Sequence, residues 1–264
     1  MGNEPSVRYV DTLSAYEGWA NVYDTDGNFL QALDTREMRN LLPKAISMIN
    51  TPRPWKFVDL GCGTGRNTLN LLHVPDAEIV ALDLSPKMLS IARARLEEKA
   101  ASLQATPNFQ LATFDMLGWT STAQVPAYGS ADLIVSTLVV EHIPLARFFK
   151  SAACMLKEDG LLLLTNMHDE MGNISQAGFV DPDTGEKIRP ASYPHTIKDT
   201  LEEAAKHGLE VAEPFREESV READCSELGA RARKWIGIRV WYGGILRKKK
   251  PEGAGMPSES QDAA

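Results

Sequence analysis

Phe57-Val58-Asp59-Leu60-Gly61-Cys62-Gly63-Thr64-Gly65-Arg66-Asn67-Thr68 is the stretch on which the reading of this chain turns. An apolar strand runs into an acid, and three glycines then stand at alternate positions before a helix begins. Glycines so spaced let the backbone turn sharply and let a ligand approach it closely. Asp59 falls where the strand runs out, beside that ligand. A carboxylate there would repel a pyrophosphate, whereas it suits a ligand carrying a cation or hydroxyls. Arg66 stands where G-x-G-x-x-G would place its third glycine, and it would crowd helix–strand packing in a dinucleotide fold. The stretch points away from a dinucleotide or ATP and toward an amino-acid-bearing nucleoside.

Downstream, strands and helices alternate. Strands are expected over 56–60, 78–83, 108–113, 131–136 and 160–166, and helices near 65–73, 86–102 and 144–157. Ser85 suits an N-cap and Pro86 the first helical position, and Pro144 is expected to open the third helix likewise. Runs such as Leu161-Leu162-Leu163-Leu164 fit a parallel sheet covered on both faces. The regularity breaks over 167–195, where Gly172, Gly178, Pro182, Gly185, Pro190 and Pro194 mark a long loop. A connection of that length is usually functional or disordered, and its aromatics and histidines favour function. A helix over 196–207 ending at His207-Gly208, a strand over 209–213, a charged connection and a last strand near 235–246 complete the pattern. It predicts an α/β fold with a doubly wound, seven-stranded, mostly parallel sheet.

Ahead of the first strand, residues 1–10 read as a frayed end, and 14–24 as a short segment rich in aromatics. Leu30, Leu33, Met38, Leu41, Leu42, Ile46 and Ile49 recur at helical spacing, with Pro43 expected to kink or split that helix. Residues 1–50 are therefore expected to form a helical lid, 51–247 the main domain, and 248–264 a disordered tail.

The chain has 264 residues and a formal net charge of −8, a balance that disfavours non-specific binding to nucleic acid or anionic membrane. Three cysteines, Cys62, Cys154 and Cys225, have no metal-ligand spacing, and no histidine pair or acid cluster does. No metal is expected. No stretch is long and apolar enough to span a membrane, and the N-terminus lacks the pattern of a signal peptide. A cytoplasmic location with reduced thiols is expected. The oligomeric state is left open. Arg247-Lys248-Lys249-Lys250 reads as a solvated chain end.

Five elements in order carry a resemblance. They are Asp59-Leu60-Gly61-Cys62-Gly63-Thr64-Gly65, Ala81-Leu82-Asp83-Leu84-Ser85-Pro86-Lys87-Met88-Leu89, and Thr113-Phe114-Asp115-Met116-Leu117. Asp132-Leu133-Ile134-Val135-Ser136 with Glu141-His142-Ile143, and Leu156-Lys157-Glu158-Asp159-Gly160-Leu161, complete the set. Over residues 55–246 the chain resembles a class I methyltransferase dependent on S-adenosylmethionine, with its Rossmann-like sheet. The resemblance implies that Gly61, Gly63 and Gly65 admit the methionine part of the cofactor, Asp59 engages its amino group and Asn67 its carboxylate side. Asp83 would accept from the ribose hydroxyls, with Leu84 and Met88 beside it. Asp115 would accept from the adenine amino group, with Phe114 and Met116 lining the base, and Ser136 would complete the site. Tyr16, Trp19 and Tyr23 would form a lid whose aromatic faces suit a sulfonium.

Methyl transfer needs chiefly in-line positioning, and a base only where the acceptor starts protonated. Candidate bases are His142, His168 and His195, with Tyr193 also on the acceptor side. The loop 167–195 would wall the acceptor pocket. The function expected is methyl transfer to a small-molecule metabolite, releasing S-adenosyl-L-homocysteine, with no nucleic-acid or membrane partner. The alternatives are a tRNA or protein methyltransferase, supported by the basic stretch Arg231 to Lys234 with Arg247 to Lys250, and a non-catalytic regulator that binds the cofactor.

Overall fold

A computed structural model describes residues 7–103, 108–182 and 184–250. Strand β1 (Val7–Tyr9) precedes helices α1 (Thr12–Trp19) and α2 (Phe29–Ser47). Strand β2 (Trp55–Leu60) leads through the glycine turn to α3 (Thr68–Leu71), β3 (Ala77–Asp83), α4 (Pro86–Ala101) and β4 (Asn108–Thr113). Then come β5 (Ala131–Thr137), α5 (Leu145–Met155), β6 (Leu156–Met167), α6 (Asp169–Ile174), β7 (Phe179–Val180) and β8 (Lys187–Arg189). Helix α7 (Ile197–Lys206), β9 (Leu209–Ser219), α8 (Cys225–Leu228) and β10 (Arg239–Lys248) finish the chain.

The main sheet has seven strands in the order β4-β3-β2-β5-β6-β10-β9, with only β10 antiparallel to its neighbours. The chain reverses direction across the sheet between β2 and β5, so a crevice opens at their carboxyl ends. Ser85 caps α4 by accepting the Met88 N–H, and Pro86 opens the helix. On one face of the sheet, Phe148, Phe149 and Met155 of α5 pack on Val58, Val80, Ile134 and Leu162. On the other, Leu33, Met38, Leu41 and Leu42 of α2 pack on Phe57, Leu133 and Leu161.

Helix α2 is thus a layer of the main core, and it runs unbroken through Pro43. The N–H that proline lacks would have served the carbonyl of Arg39, which lies on the exposed face. Asp34 of α2 is fully buried and takes Nη2 of Arg66 at 2.6 Å, Oγ1 of Thr165 at 2.5 Å and Nε1 of Trp241 at 2.9 Å. The arginine that replaces a glycine in the turn therefore ties α2 to the sheet.

The expected loop over 167–195 is folded. It holds α6, β7 and β8, and β8 pairs in parallel with β1, setting Arg8 opposite Ile188. Residues 7–9, expected to be frayed, are therefore a strand. Each segment is too short to signal by pattern alone, and each is completed by the other. Trp19 stacks on Phe179 at 5.4 Å, and with Ala15 and Ile188 they form a separate small core. The lid and the loop are one body built from both.

Other boundaries also move. The first helix shrinks to Thr68–Leu71 because the turn occupies residues up to Asn67. Pro144 sits at the N-cap of α5, not at its first helical position. Strand β9 runs on to Ser219 through the expected charged connection, and the last strand begins at Arg239 because Trp235 ends a 3-10 helix over Ala230–Trp235. Lys248, placed with the tail, ends β10 and donates to the carbonyls of Ala153 and Leu156, while Lys250 pairs with Asp159 at 2.8 Å. Residues 1–6 and 251–264, where fraying and disorder were expected, lie outside the described residues.

Candidate active site

Two cavities meet at the carboxyl ends of the parallel strands. The first, of about 820 Å³, is framed by the ends of β2, β3, β4 and β5. Gly61 and Gly63 form its floor in the left-handed region, at φ +79° and +53°. A Cβ on Gly61 would come within 2.4 Å of Val139, so only glycine fits there. Asp83 accepts the Gly63 N–H and the Ser85 N–H, both at 2.8 Å, one on each carboxylate oxygen. Each oxygen keeps a lone pair for a further donor. Leu84, Phe114, Asp115 and Met116 continue the wall. Asp115 is exposed and fixed by the Leu117 N–H at 2.8 Å.

The second cavity, of about 780 Å³, lies under the small β1–β8–β7 body and is lined by Trp19, Phe29, Glu141, Met167, Met171, Gln176, Lys187, Arg231, Lys234 and Trp235, among others. Tyr16, Tyr23 and Leu138 line both cavities and so form the partition between them. Burial pushes both phenols above their ordinary range. Glu141 is 3% exposed and its Oε2 has no hydrogen-bond partner. Burial pushes its carboxyl up to about 8.

The adjoining His142 lines the first cavity. Its Nδ1 lies 2.9 Å from the Ala191 carbonyl, which can only accept, so Nδ1 carries the proton. Nε2 is then the acceptor for the Tyr16 hydroxyl at 2.7 Å. Burial pushes this imidazole down to about 4. The segment after β8 fixes the whole tripeptide. Tyr193 N–H donates to the Glu141 carbonyl at 2.7 Å, and His195 Nε2 donates to the Ile143 carbonyl at 3.0 Å.

Comparison with known proteins places this geometry. Residues 58–164 match the family model described as a methyltransferase domain. The crystal structure of an S-adenosylmethionine-dependent methyltransferase from Mesorhizobium loti aligns with a TM-score of 0.54 at 22% identity, covering 78% of this chain and 96% of that one. An uncharacterised methyltransferase of Emericella nidulans is 45% identical over 269 residues, covering 92% of this chain and 93% of its own. The chain belongs to the class I S-adenosylmethionine-dependent methyltransferases. A part of the methyltransferase, 43% of its length, is also 36% identical to a trans-aconitate 2-methyltransferase of Methylobacterium radiotolerans, 39% of which is covered. S-adenosylmethionine is the cofactor, and a wall combining close backbone, free lone pairs on Asp83 and the edge of Asp115 fits it.

Nine of the residues expected at the cofactor line the first cavity: Tyr16, Tyr23, Gly61, Gly63, Asp83, Leu84, Phe114, Asp115 and Met116. The others lie elsewhere in the methyltransferase. Asp59 is buried beneath the turn, accepting from Thr68 Oγ1 at 2.5 Å, and burial pushes it up to about 6. Gly65 packs on Ala92 of α4. Asn67 donates to Thr137 Oγ1 at 2.7 Å. Met88 is wholly buried under α4, and Ser136 donates to the Leu60 carbonyl, tying β5 to β2. Trp19 lines the second cavity, its indole held by Asp26 at 3.0 Å.

Two expected bases are corrected. His168 caps α6, accepting the Glu170 N–H on Nδ1, and its Nε2 lies 2.6 Å from Glu217. It lies off the walls of both cavities. So does His195, which clamps Ile143. Sequence reasoning passed over Glu141, Gln176, Lys187 and Trp235. Only Glu141 left a trace, as the acid beside His142.

Proposed function

We propose that this methyltransferase acts on a small molecule held in the second cavity, with the cofactor in the first and the methyl group passing at the Tyr16–Tyr23–Leu138 partition. The observation that carries this reading is that these three side chains belong to both cavities. When bound, S-adenosylmethionine supplies a methyl group activated on a sulfonium and leaves as S-adenosylhomocysteine. The chain's own residues do the rest. Gly61 and Gly63 admit the methionine part, Asp83 takes the ribose hydroxyls and Asp115 the adenine edge. Tyr16, held by His142, closes the cofactor in and presents an aromatic surface to the cation.

Glu141 is better suited than His142 to take a proton from the acceptor. The His142 lone pair is already engaged by Tyr16, and its low basicity fits a positioning role. Glu141 lines the second cavity, its carboxyl has an oxygen without a partner, and its basicity lies near neutrality. An O–H or N–H acceptor would lose its proton there as its lone pair forms the new bond to carbon.

The test is methyl transfer from labelled cofactor into a size-fractionated cell extract. Label is expected in the small-molecule fraction. Label confined to RNA or protein would overturn the reading.

A further inference from the structure

The second cavity carries a charge pattern opposite to that of the chain as a whole. Lys187, Arg231 and Lys234 all lie on its wall, although the protein has a net charge of −8. Lys187 is half buried on β8, and the cations Arg189, Lys234 and Arg231 act on its ammonium. Burial first, and then these cations, lower its ammonium from the ordinary range. Lys234 lies 5.0 Å over the Trp235 ring rather than against a carboxylate. Arg231 reaches an acid, Asp26, at 3.8 Å. Asp26 already accepts from the Trp19 indole and the Asn28 N–H, and Glu141 is the cavity's other acid.

Of the residues on this wall, three carry buried polar atoms that have no partner among the described residues. They are Glu141 Oε2, Gln176 Oε1 and Trp235 Nε1. An indole N–H can only donate, so Trp235 calls for an acceptor atom beside the ammonium of Lys234. Leaving such groups unpaired is costly, and a ligand with matching groups relieves that cost.

We infer that the methyl acceptor is a small anion bearing a carboxylate or phosphate, held by Lys187, Lys234, Arg231 and the Trp235 N–H, with its nucleophilic end turned toward Glu141. This rests on the second cavity being the acceptor site. The anionic group anchors the molecule. The acceptor's lone pair bonds to the methyl carbon, the carbon–sulfur pair returns to sulfur, and the acceptor's proton goes to Glu141.

Two measurements on the full chain test it. The small-molecule extract is split on an anion exchanger, and each fraction is assayed for methyl acceptance. The accepting fraction is expected to be retained on the resin, and phosphatase treatment then tells a phosphate from a carboxylate. With that fraction as substrate, K187Q/K234Q should raise KM by about tenfold or more. Trp235→Phe should raise it by a smaller factor. Affinity for S-adenosylhomocysteine, read by calorimetry, should hold in both. Succinate and inorganic phosphate, used as probes, should compete with the acceptor on the wild type and more weakly on K187Q/K234Q. An acceptor found in the unretained fraction, or an unchanged KM in K187Q/K234Q, overturns the inference. Cofactor binding with no transfer to any small-molecule fraction overturns instead the reading of the second cavity on which it rests.

Discussion

The phenol of Tyr16 donates to His142 Nε2 at 2.7 Å, across 126 positions of the chain. The pair joins the aromatic segment of α1 to the end of β5 and closes one side of the first cavity. On the far side of the imidazole, Ala191 holds Nδ1, so the insertion after β6 sets the ring that sets the lid.

Tyr16→Phe removes the donor and leaves Nε2 of His142 buried without a partner. Cofactor affinity is expected to fall by about tenfold, in line with about 1–3 kcal/mol for such a loss. Calorimetry with S-adenosylhomocysteine measures it, and a wild-type affinity would sink the role given to the pair.

Asp83 and Asp115 should differ in weight. Asp83 holds Gly63 and the start of α4 as well as facing the cavity, whereas Asp115 is exposed and holds only its own turn. Asp83→Ala is expected to weaken cofactor binding by roughly a hundredfold and Asp115→Ala by roughly tenfold. Equal losses in the same titration would contradict this order.

Glu141 and His142 give stability opposite dependences on pH. Native Glu141 titrates at about 8 against an ordinary 4.5, so the folded state keeps a proton that the unfolded chain has lost, and stability falls as pH rises through that window. Native His142 titrates at about 4 against 6.5, so the unfolded chain binds the extra proton, and stability falls as pH drops through that window. Glu141→Gln should therefore be more stable than wild type at pH 9, by a few kcal/mol on the order-of-magnitude scale of such shifts. It should also lose methyl transfer by roughly a hundredfold. Thermal unfolding at pH 6 and 9 and the labelled assay check the two effects separately.

Asp34→Ala leaves the half-buried Arg66 guanidinium without its carboxylate and removes the acceptor for Thr165 and Trp241. A loss of about 3–5 kcal/mol is expected in urea unfolding. Replacing both partners by apolar residues should cost less than replacing Asp34 alone. The opposite ranking would show that the ion pair does not carry the junction.

Phe179 is 4% exposed and stacks on Trp19, so Phe179→Ala should empty the small core that joins β1, α1 and β8. Turnover of the acceptor is expected to drop far more than cofactor affinity, because the cavity under this body is the second one. A larger effect on cofactor binding would count against the division of labour between the cavities.

The sequence alone determined the sheet, because its signals are local. Strand β2, the glycine turn, Ser85-Pro86 and the apolar runs of β5 and β6 are each legible within a few residues, and their order specifies the topology. Nine of the residues it singled out share the first cavity, since Asp83, Phe114 and Asp115 sit at strand ends that the periodicity locates. Asp59, Asn67, Met88 and Ser136 lie behind that lining, which the sequence does not show because adjacency to a motif does not reveal which way a side chain points. His168 and His195 could not be told from bases, since capping and clamping are visible only through their partners Glu170, Glu217 and Ile143.

Only the tertiary structure decided what covers the site. Residues 7–9 and 187–189 carry no pattern of their own, yet they pair across the whole length of the domain. Their pairing encloses Glu141 with Lys187, Arg231, Lys234 and Trp235, residues drawn from three distant parts of the chain. Burial then sets the acidity of Glu141 and leaves the indole of Trp235 unpaired. The first cavity is written in short-range sequence because a turn and strand ends build it. The second depends on long-range packing, and its chemistry exists only once the chain has closed around it.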